Sequence, residues 1–254
     1  MWSFYEVPIP VLFVTTVVLI FASSEAAYHF AQKADETERS DAGTLSAAAL
    51  GLLALLLAFS FSIALGKYDS RREAVLDEAL AIGSTANYAM ALPSRERAPI
   101  LALLRTYVQV RIALGVPYSP EKLQRDTTAS VGLQSLLWQR ATALGVAEPR
   151  SLPVAEFRES LNNLNNVHER RLTTLRVRVP VPVIVMLIAT AMVAMAFVGF
   201  QYGLGKKYLL AGRAVMALTL AALIILIVDL DRPTRGLITV SVQPLVDASN
   251  GIPR

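Results

Sequence analysis

The chain has 254 residues, of which 54% are hydrophobic and 17% are charged, and its mean hydropathy is +0.47. Soluble domains carry about 25% charged residues, and here the charge is missing from a few long runs, which indicates a membrane protein. The absence of cysteine excludes disulfides, thiolate nucleophiles and cysteine metal sites, and two histidines, His29 and His168, exclude a multi-histidine site. We therefore expect no metal and no cofactor, and a net charge of +4 does not point to nucleic acid.

Four apolar runs follow one another along the chain, at residues 7–24, 44–66, 179–200 and 214–228. The second run would extend roughly 34 Å as a helix, which exceeds the bilayer core of about 30 Å. The first lacks the positively charged region that precedes a cleaved signal, so we interpret it as a retained span. Arg213, just before the fourth run, is expected to reach the membrane surface by snorkelling.

The distribution of lysine and arginine predicts the orientation of the spans. Most of the 24 basic residues lie in the middle segment or after the last span, and several flank the membrane entries. The other loops carry few, and the loop at 33–41 is net acidic, so we place the middle segment and both termini in the cytoplasm. The predicted domains are transmembrane helices 1 and 2 (7–66), a cytoplasmic helical domain (67–178), transmembrane helices 3 and 4 (179–230) and a cytoplasmic tail (231–254).

Helical periodicity predicts an all-α membrane protein whose cytoplasmic domain is inserted between the second and third transmembrane helices. In that domain we expect four helices, at 67–92, 94–114, 119–145 and 152–178. The first continues the second span without a break, and Ser94 is expected to cap the second. In the tail, the alternating β-branched residues 237–242 predict an extended segment or strand.

The second span carries two stripes of candidate functional residues. Leu55, Phe59 and Ile63 recur every four residues, as lipid-facing or core positions do, but rings of such side chains also form hydrophobic constrictions in pores. The second stripe contains small residues, which either pack ordinary helices or let copies of this helix approach one another around an axis. Its members are Ala47, Gly51, Ala54, Ala58, Ser62 and Gly66.

Charged residues mark the cytoplasmic ends of the second and fourth spans. They anchor helices at the membrane surface, or they form a salt-bridge network or charged vestibule that selects ions. The two groups are Lys67, Asp69, Arg71, Arg72 and Glu73, and Asp229, Asp231, Arg232 and Arg235.

The remaining ionisable residues and the motif search give no catalytic site. Glu25 and His29 share a face of the first helix and are expected to pair at the headgroup level, and His168 is expected on the surface. No phosphate-binding loop, nucleophile elbow or zinc-binding helix occurs. We therefore do not expect an enzyme.

The stretch LAFSFSIALGKYDSRRE, within residues 55–78, and the tail DLDRPTRGLI, residues 229–238, resemble the bestrophin-like family of bacterial membrane proteins. Bestrophins proper are pentameric anion channels with four spans per subunit, both termini inside, and a pore lined by the second span. The resemblance implies a homo-oligomeric ion channel, a pentamer of the bacterial cytoplasmic membrane, with inorganic ions and lipid as its other partners. By analogy Leu55, Phe59 and Ile63 would form the pore neck, near Ser62 and Gly66.

The sequence is also compatible with two other functions. A membrane-anchored scaffold or sensor, whose cytoplasmic helices bind a partner, is favoured by the scarcity of polar residues in the spans. A transporter is disfavoured because no internal repeat or broken span is evident.

Overall fold

A computed structural model describes residues 7–32, 39–114, 120–205, 208–233 and 236–253. These residues form helices and no strand. The helices are α1 (Ile9–Ala31), α2 (Arg39–Met90), α3 (Ser94–Ala113), α4 (Pro120–Ala147), α5 (Leu152–Arg176), α6 (Val181–Leu204), α7 (Leu210–Asp231) and α8 (Gln243–Gly251).

Four helical stretches are long and apolar enough to cross a membrane, as the hydropathy pattern predicted. They are α1, the apolar N-terminal part of α2, α6 and α7. Helix α2 has 52 residues, and it confirms that the second span continues as a helix well beyond Gly66. Helix α7 is longer than the predicted run 214–228, because the flanking residues Leu210–Arg213 and Asp229–Asp231 are helical too.

The chain divides into two compact units. Unit 1 comprises Met1–Lys67, Arg178–Arg232 and Gly236–Ile238, and unit 2 comprises Tyr68–Val177, Pro233–Arg235 and Thr239–Arg254. Unit 1 therefore holds all four spanning segments, whereas unit 2 holds the charged end of α2 together with α3, α4, α5 and α8. The assignment of unit 2 to the cytoplasm stays a prediction.

Unit 1 is built around a close approach of α1 and α6. A methyl group added at Gly199 would overlap the carbonyl oxygen of Ser24, and one added at Gly203 would lie 2.7 Å from the Cβ of Ala31. The hydroxyl of Ser23 also donates a hydrogen bond across this contact, to the carbonyl of Met192 at 3.0 Å. Small residues spaced by four allow spanning helices to approach in this way.

Unit 2 has one apolar core to which each of its helices contributes. The C-terminal part of α2 supplies Ile82, α3 supplies Leu104, α4 supplies Leu137 and α5 supplies Phe157, and each of these four side chains is buried. Helix α8 closes the core with Leu245, which is also buried. Helix α8 was not predicted from the sequence.

Three local predictions differ from the structure. Residues 237–242 form no strand but lead into α8, because no neighbouring strand among the described residues offers them hydrogen bonds. Ser94 is already helical, and Pro93 occupies the N-cap position without a side-chain hydrogen bond. Helix α5 ends at Arg176 rather than 178, because Val177 already has an extended backbone. Residues 33–38 of the predicted acidic loop lie outside the described residues, and the rest of that loop belongs to α2; residue 119, where the third helix of the domain was predicted to begin, also lies outside them.

Candidate functional site

The predicted neck residues lie on an exposed face of α2. Leu55, Phe59 and Ile63 are 53%, 60% and 53% exposed, whereas Leu53 and Ala64 on the opposite face are buried within unit 1. Hydrophobic side chains on a spanning helix are exposed to lipid, to another copy of the chain or to a pore. In the described structure, this stripe is therefore free to face lipid, another copy of the chain or a pore.

The small-residue stripe of α2 is exposed as well. No atom of a packing neighbour lies within 4 Å of a methyl group added at Gly51 or Gly66. An apolar groove of about 360 Å³ follows the stripe between α2 and α7, with Leu57 and Leu223 in its walls. The close helix approach within unit 1 uses the glycines of α6 instead.

The charged residues predicted at the cytoplasmic end of the second span lie in two different surroundings within unit 2. Asp69, Arg72 and Glu73 line a groove of about 610 Å³, together with Thr239 and Ser241 from the segment before α8. Arg71, in contrast, is buried and lines a different, much smaller cavity. Lys67, the remaining member of this group, belongs to unit 1 and is half-buried.

The charged residues at the end of α7 form hydrogen bonds with neighbouring backbone segments of unit 1. The carboxylate of Asp229 accepts hydrogen bonds from the backbone N–H groups of residues 237 and 238, at 2.9–3.0 Å. Asp231 accepts one from the N–H of Val179 at 2.8 Å, ahead of α6, and Arg232 donates to the carbonyl of Val7 at 2.7 Å, ahead of α1. Arg235 lies outside the described residues. The predicted pairing of the two exit groups stays a prediction.

The pair of Glu25 and His29 is found as predicted, but it has a third member. Glu25 lies 3.2 Å from His29 and 2.9 Å from the guanidinium of Arg213. Arg213 is 1% exposed, and its guanidinium stacks on the rings of Tyr28 and Tyr208. Arg213 is therefore enclosed by a carboxylate and two aromatic faces within unit 1, and its expected position at the membrane surface stays a prediction.

A buried polar cluster lies at the centre of unit 2. The carboxylate of Glu78 accepts hydrogen bonds from Arg111 (Nε to Oε1, 2.6 Å), from Arg171 and from the hydroxyl of Tyr107 (2.8 Å). The Tyr107 hydroxyl lies 3.0 Å from Nδ1 of His168, which is fully buried. His168 is therefore a core residue, and its expected surface position is wrong, because a tyrosine hydroxyl on α3 gives the imidazole a buried partner.

Electrostatics define the protonation of this cluster. Burial raises the pKa of Glu78, but the positive charges of Arg111 and Arg171 outweigh burial, so the net pKa of Glu78 is lowered and the carboxylate is ionised. Burial, with the charge of Glu78 beside it, raises the pKa of Tyr107 well above its usual value, and the phenol keeps its proton. Because that proton points to Glu78, neutral His168 must carry its own on Nδ1 and donate it to Tyr107.

Acid should destabilise the protein through His168. Burial, reinforced by the charge of Arg111, lowers the pKa of His168 from 6.5 to about 4 in the folded chain. Between these two values the unfolded chain binds a proton that the folded chain excludes, so stability is full above pH 6.5 and falls as the pH drops towards 4. The loss at the acidic end is about 3 kcal/mol, and thermal unfolding of the full chain in detergent from pH 7.5 to pH 4 would measure it.

The variant His168→Gln should lose this part of the pH dependence, because its side chain does not titrate. The variant His29→Gln, whose side chain is 64% exposed in the wild type, is the control for removing a histidine, and the loss of stability at acidic pH should persist in it. If the stability of His168→Gln fell with decreasing pH as steeply as that of the wild type, the prediction would be contradicted.

Comparison with known proteins places the chain in a family. A family model described as the Bestrophin-like domain matches residues 11–245. The chain belongs to the bestrophin-like family. Among curated proteins no sequence matches.

Solved structures share the fold of this bestrophin-like chain. A bacterial bestrophin homologue from Klebsiella pneumoniae is 13% identical, with a TM-score of 0.71 over 94% of this chain and 96% of that chain. A variant described only as a membrane protein is 12% identical, with a TM-score of 0.72 over 94% and 97%. At these identities the likeness shows the fold alone.

Sequence reasoning missed the buried cluster of this bestrophin-like protein, although a signal was present. Glu78 lies three residues after Val75, Arg111 three after Val108, and both therefore fall on the apolar faces of their helices. A charged residue at a core position is rarely buried unless it is paired. Within the ranges that the structure describes, no group of three or more acidic or histidine residues is arranged to hold a metal ion.

Proposed function

We propose that this protein is a homo-oligomeric ion channel whose pore is lined by α2, with Leu55, Phe59 and Ile63 as its neck. The observation that carries the proposal is the exposed face of α2 within unit 1, where a hydrophobic stripe runs beside a stripe of small residues. A pore that receives one such helix from each chain needs several chains. The neck would then restrict ion flow by dewetting.

The small-residue stripe supports the assembly part of the proposal. Helices in a membrane associate through close van der Waals packing, which small side chains permit. The open space at Gly51 and the groove lined by Ala54 and Ala58 leave room for apolar side chains of a second copy. Membership of the bestrophin-like family supports a pentamer, since bestrophins proper have the pentameric plan described above.

The proposal includes a location and a candidate ion. We place the protein in the bacterial cytoplasmic membrane with unit 2 and both termini inside, because the basic residues concentrate in and beside unit 2. Anions are the candidate ion by analogy with bestrophins. Labelling of a single introduced cysteine from either side would test the orientation, and reversal potentials in asymmetric chloride would test the ion.

The mass of the purified particle tests the assembly. In lipid nanodiscs, after subtraction of lipid and scaffold, we expect about 138 kDa for five copies of the 27.6 kDa chain. A mass near five subunits supports the shared pore. A monomer or dimer would contradict it and would leave the scaffold function in first place.

Truncation of the neck should raise ion flow. Phe59→Ala removes a ring that is 60% exposed within the chain, so a constriction built from this side chain would widen and wet more readily. We expect a higher single-channel conductance in planar bilayers. Phe30→Ala, at a 70% exposed phenylalanine on α1, is the matched control and should leave conductance unchanged. Equal conductance of Phe59→Ala and wild type would remove Phe59 from the neck.

A membrane-anchored scaffold is the second candidate function. It is favoured by a shallow groove of about 410 Å³ on unit 2, where Trp138 of α4 is exposed beside the amides of Gln134, Gln139 and Asn165. Tryptophan is enriched in protein–protein interfaces. A scaffold would produce no ion flux in reconstituted vesicles, whereas a channel would.

A further inference from the structure

A small cavity in unit 2 lies beside two buried arginines. Its volume is about 20 Å³, and Arg71 of α2, Arg171 of α5 and Thr174 contribute to its wall. Both arginines are 3% exposed. The rest of the wall is apolar and consists of Val75, Leu114, Leu175, Pro233, Val240 and Val242.

The surroundings of this cavity carry an excess of positive charge. Glu78 is the shared carboxylate of Arg111 and Arg171, so the three groups together have a net charge of +1. The C-terminal dipole of α3 offsets about half a charge. The remaining excess comes from Arg111 and Arg171 and does not depend on Arg71, which has contacts of its own. Burying charge that is only partly compensated is costly.

Arg171 also retains an unused hydrogen-bond donor. Its Nη1 donates to Glu78 and its Nη2 lies 3.5 Å from the carbonyl of Arg111, but its Nε has no hydrogen-bond partner. A buried N–H group without an acceptor destabilises the folded state. An acceptor that also carries negative charge would satisfy both the donor and the charge excess.

We propose that this cavity binds a halide ion, which in a cell would be chloride. The volume accommodates a single water-sized ligand, and this excludes phosphate, sulfate and carboxylate anions. Water would satisfy the donor of Arg171 but would leave the charge uncompensated. The residues of its wall all belong to unit 2, whereas the stripe of α2 proposed as the pore lining belongs to unit 1, and the proposal does not rest on the channel function.

Bromide diffraction tests the site directly, because bromide is a halide with a usable anomalous signal. Crystals of the full chain grown in sodium bromide should show an anomalous peak in the cavity lined by Arg71 and Arg171. The absence of bromide at this position, with the fold intact, would overturn the proposal.

Thermal unfolding gives an independent test in solution. At constant ionic strength, replacing gluconate with chloride or bromide should raise the thermal unfolding midpoint of the full chain. The expected rise is about 2–4 °C when the halide concentration is about five times its Kd. Replacing gluconate with sulfate should not raise the midpoint. Val75→Leu fills the cavity and keeps every charged group, so it should abolish the rise. Val131→Leu, at an exposed valine of α4, is the matched control and should retain it.

Either of two solution results would overturn the proposal. One is a wild-type midpoint that does not distinguish halides from gluconate. The other is a halide effect that persists in Val75→Leu, because the ion would then bind elsewhere. If Val75→Leu does not fold, the bromide experiment on the wild-type chain decides.

Discussion

Gly199→Ala should destabilise unit 1 by at least about 3 kcal/mol, the upper end of the range for over-packing. The added methyl group would overlap the carbonyl oxygen of Ser24 and lie 2.7 Å from its carbonyl carbon. Both are backbone atoms, so no side chain can rotate away to relieve the overlap. Helices α1 and α6 would have to separate, with loss of the dispersion contacts that hold spanning helices together.

Chemical unfolding of the full chain in detergent measures this effect, and Gly132→Ala is the control. Gly132 lies in α4, and no neighbouring atom is within 4 Å of a methyl group added there. Alanine should stabilise that exposed helical position by about 0.5–1 kcal/mol. If Gly199→Ala were as stable as Gly132→Ala, the close approach of α1 and α6 would be refuted.

Glu78→Gln should destabilise the protein by about 3–5 kcal/mol, because it leaves two buried guanidinium groups without their carboxylate. Glu78 and Arg111 have side chains that are 0% exposed, and that of Arg171 is 3% exposed. The substitution preserves the size of the side chain, so the loss reports charge and hydrogen bonding rather than a cavity. Tyr107 would lose its ionised acceptor at the same time.

The neighbouring residue provides a matched control for the loss of one carboxylate. Asp77 pairs with Arg170 at 3.0 Å, but both side chains are well exposed. Asp77→Asn should therefore cost less than about 1 kcal/mol. We would compare the denaturant midpoints of the two variants. If Glu78→Gln and Asp77→Asn lost similar amounts of unfolding free energy, the buried Glu78 cluster would not contribute the stability that we assign to it.

Much of the fold was predictable because its signals are local. A run of apolar residues long enough for the bilayer predicts a span without knowledge of its neighbours. Proline also acts locally, which is why the predicted starts of α4 and α5 agree with Pro120 and Leu152. Helix α8 was missed because it has only 9 residues. Short helices gain most of their stability from packing, here from the burial of Leu245.

The candidate site was also predictable only in its local features. The stripe of Leu55, Phe59 and Ile63 could be found from a spacing of four, which places residues on one face of any helix. Whether that face is buried depends on the neighbouring helices, so only the structure shows that unit 1 leaves it exposed. Its role in a pore remains our proposal.

The sequence alone determined that this is a helical membrane protein with four spans and a continuous α2, because hydropathy and periodicity are properties of contiguous residues. The tertiary structure alone decided which polar residues are buried. His168 and Arg213 were expected at surfaces, and both are enclosed by partners distant in the chain, Tyr107 and Glu25. Burial of a polar group requires a partner in three dimensions, and a one-dimensional pattern does not contain that partner.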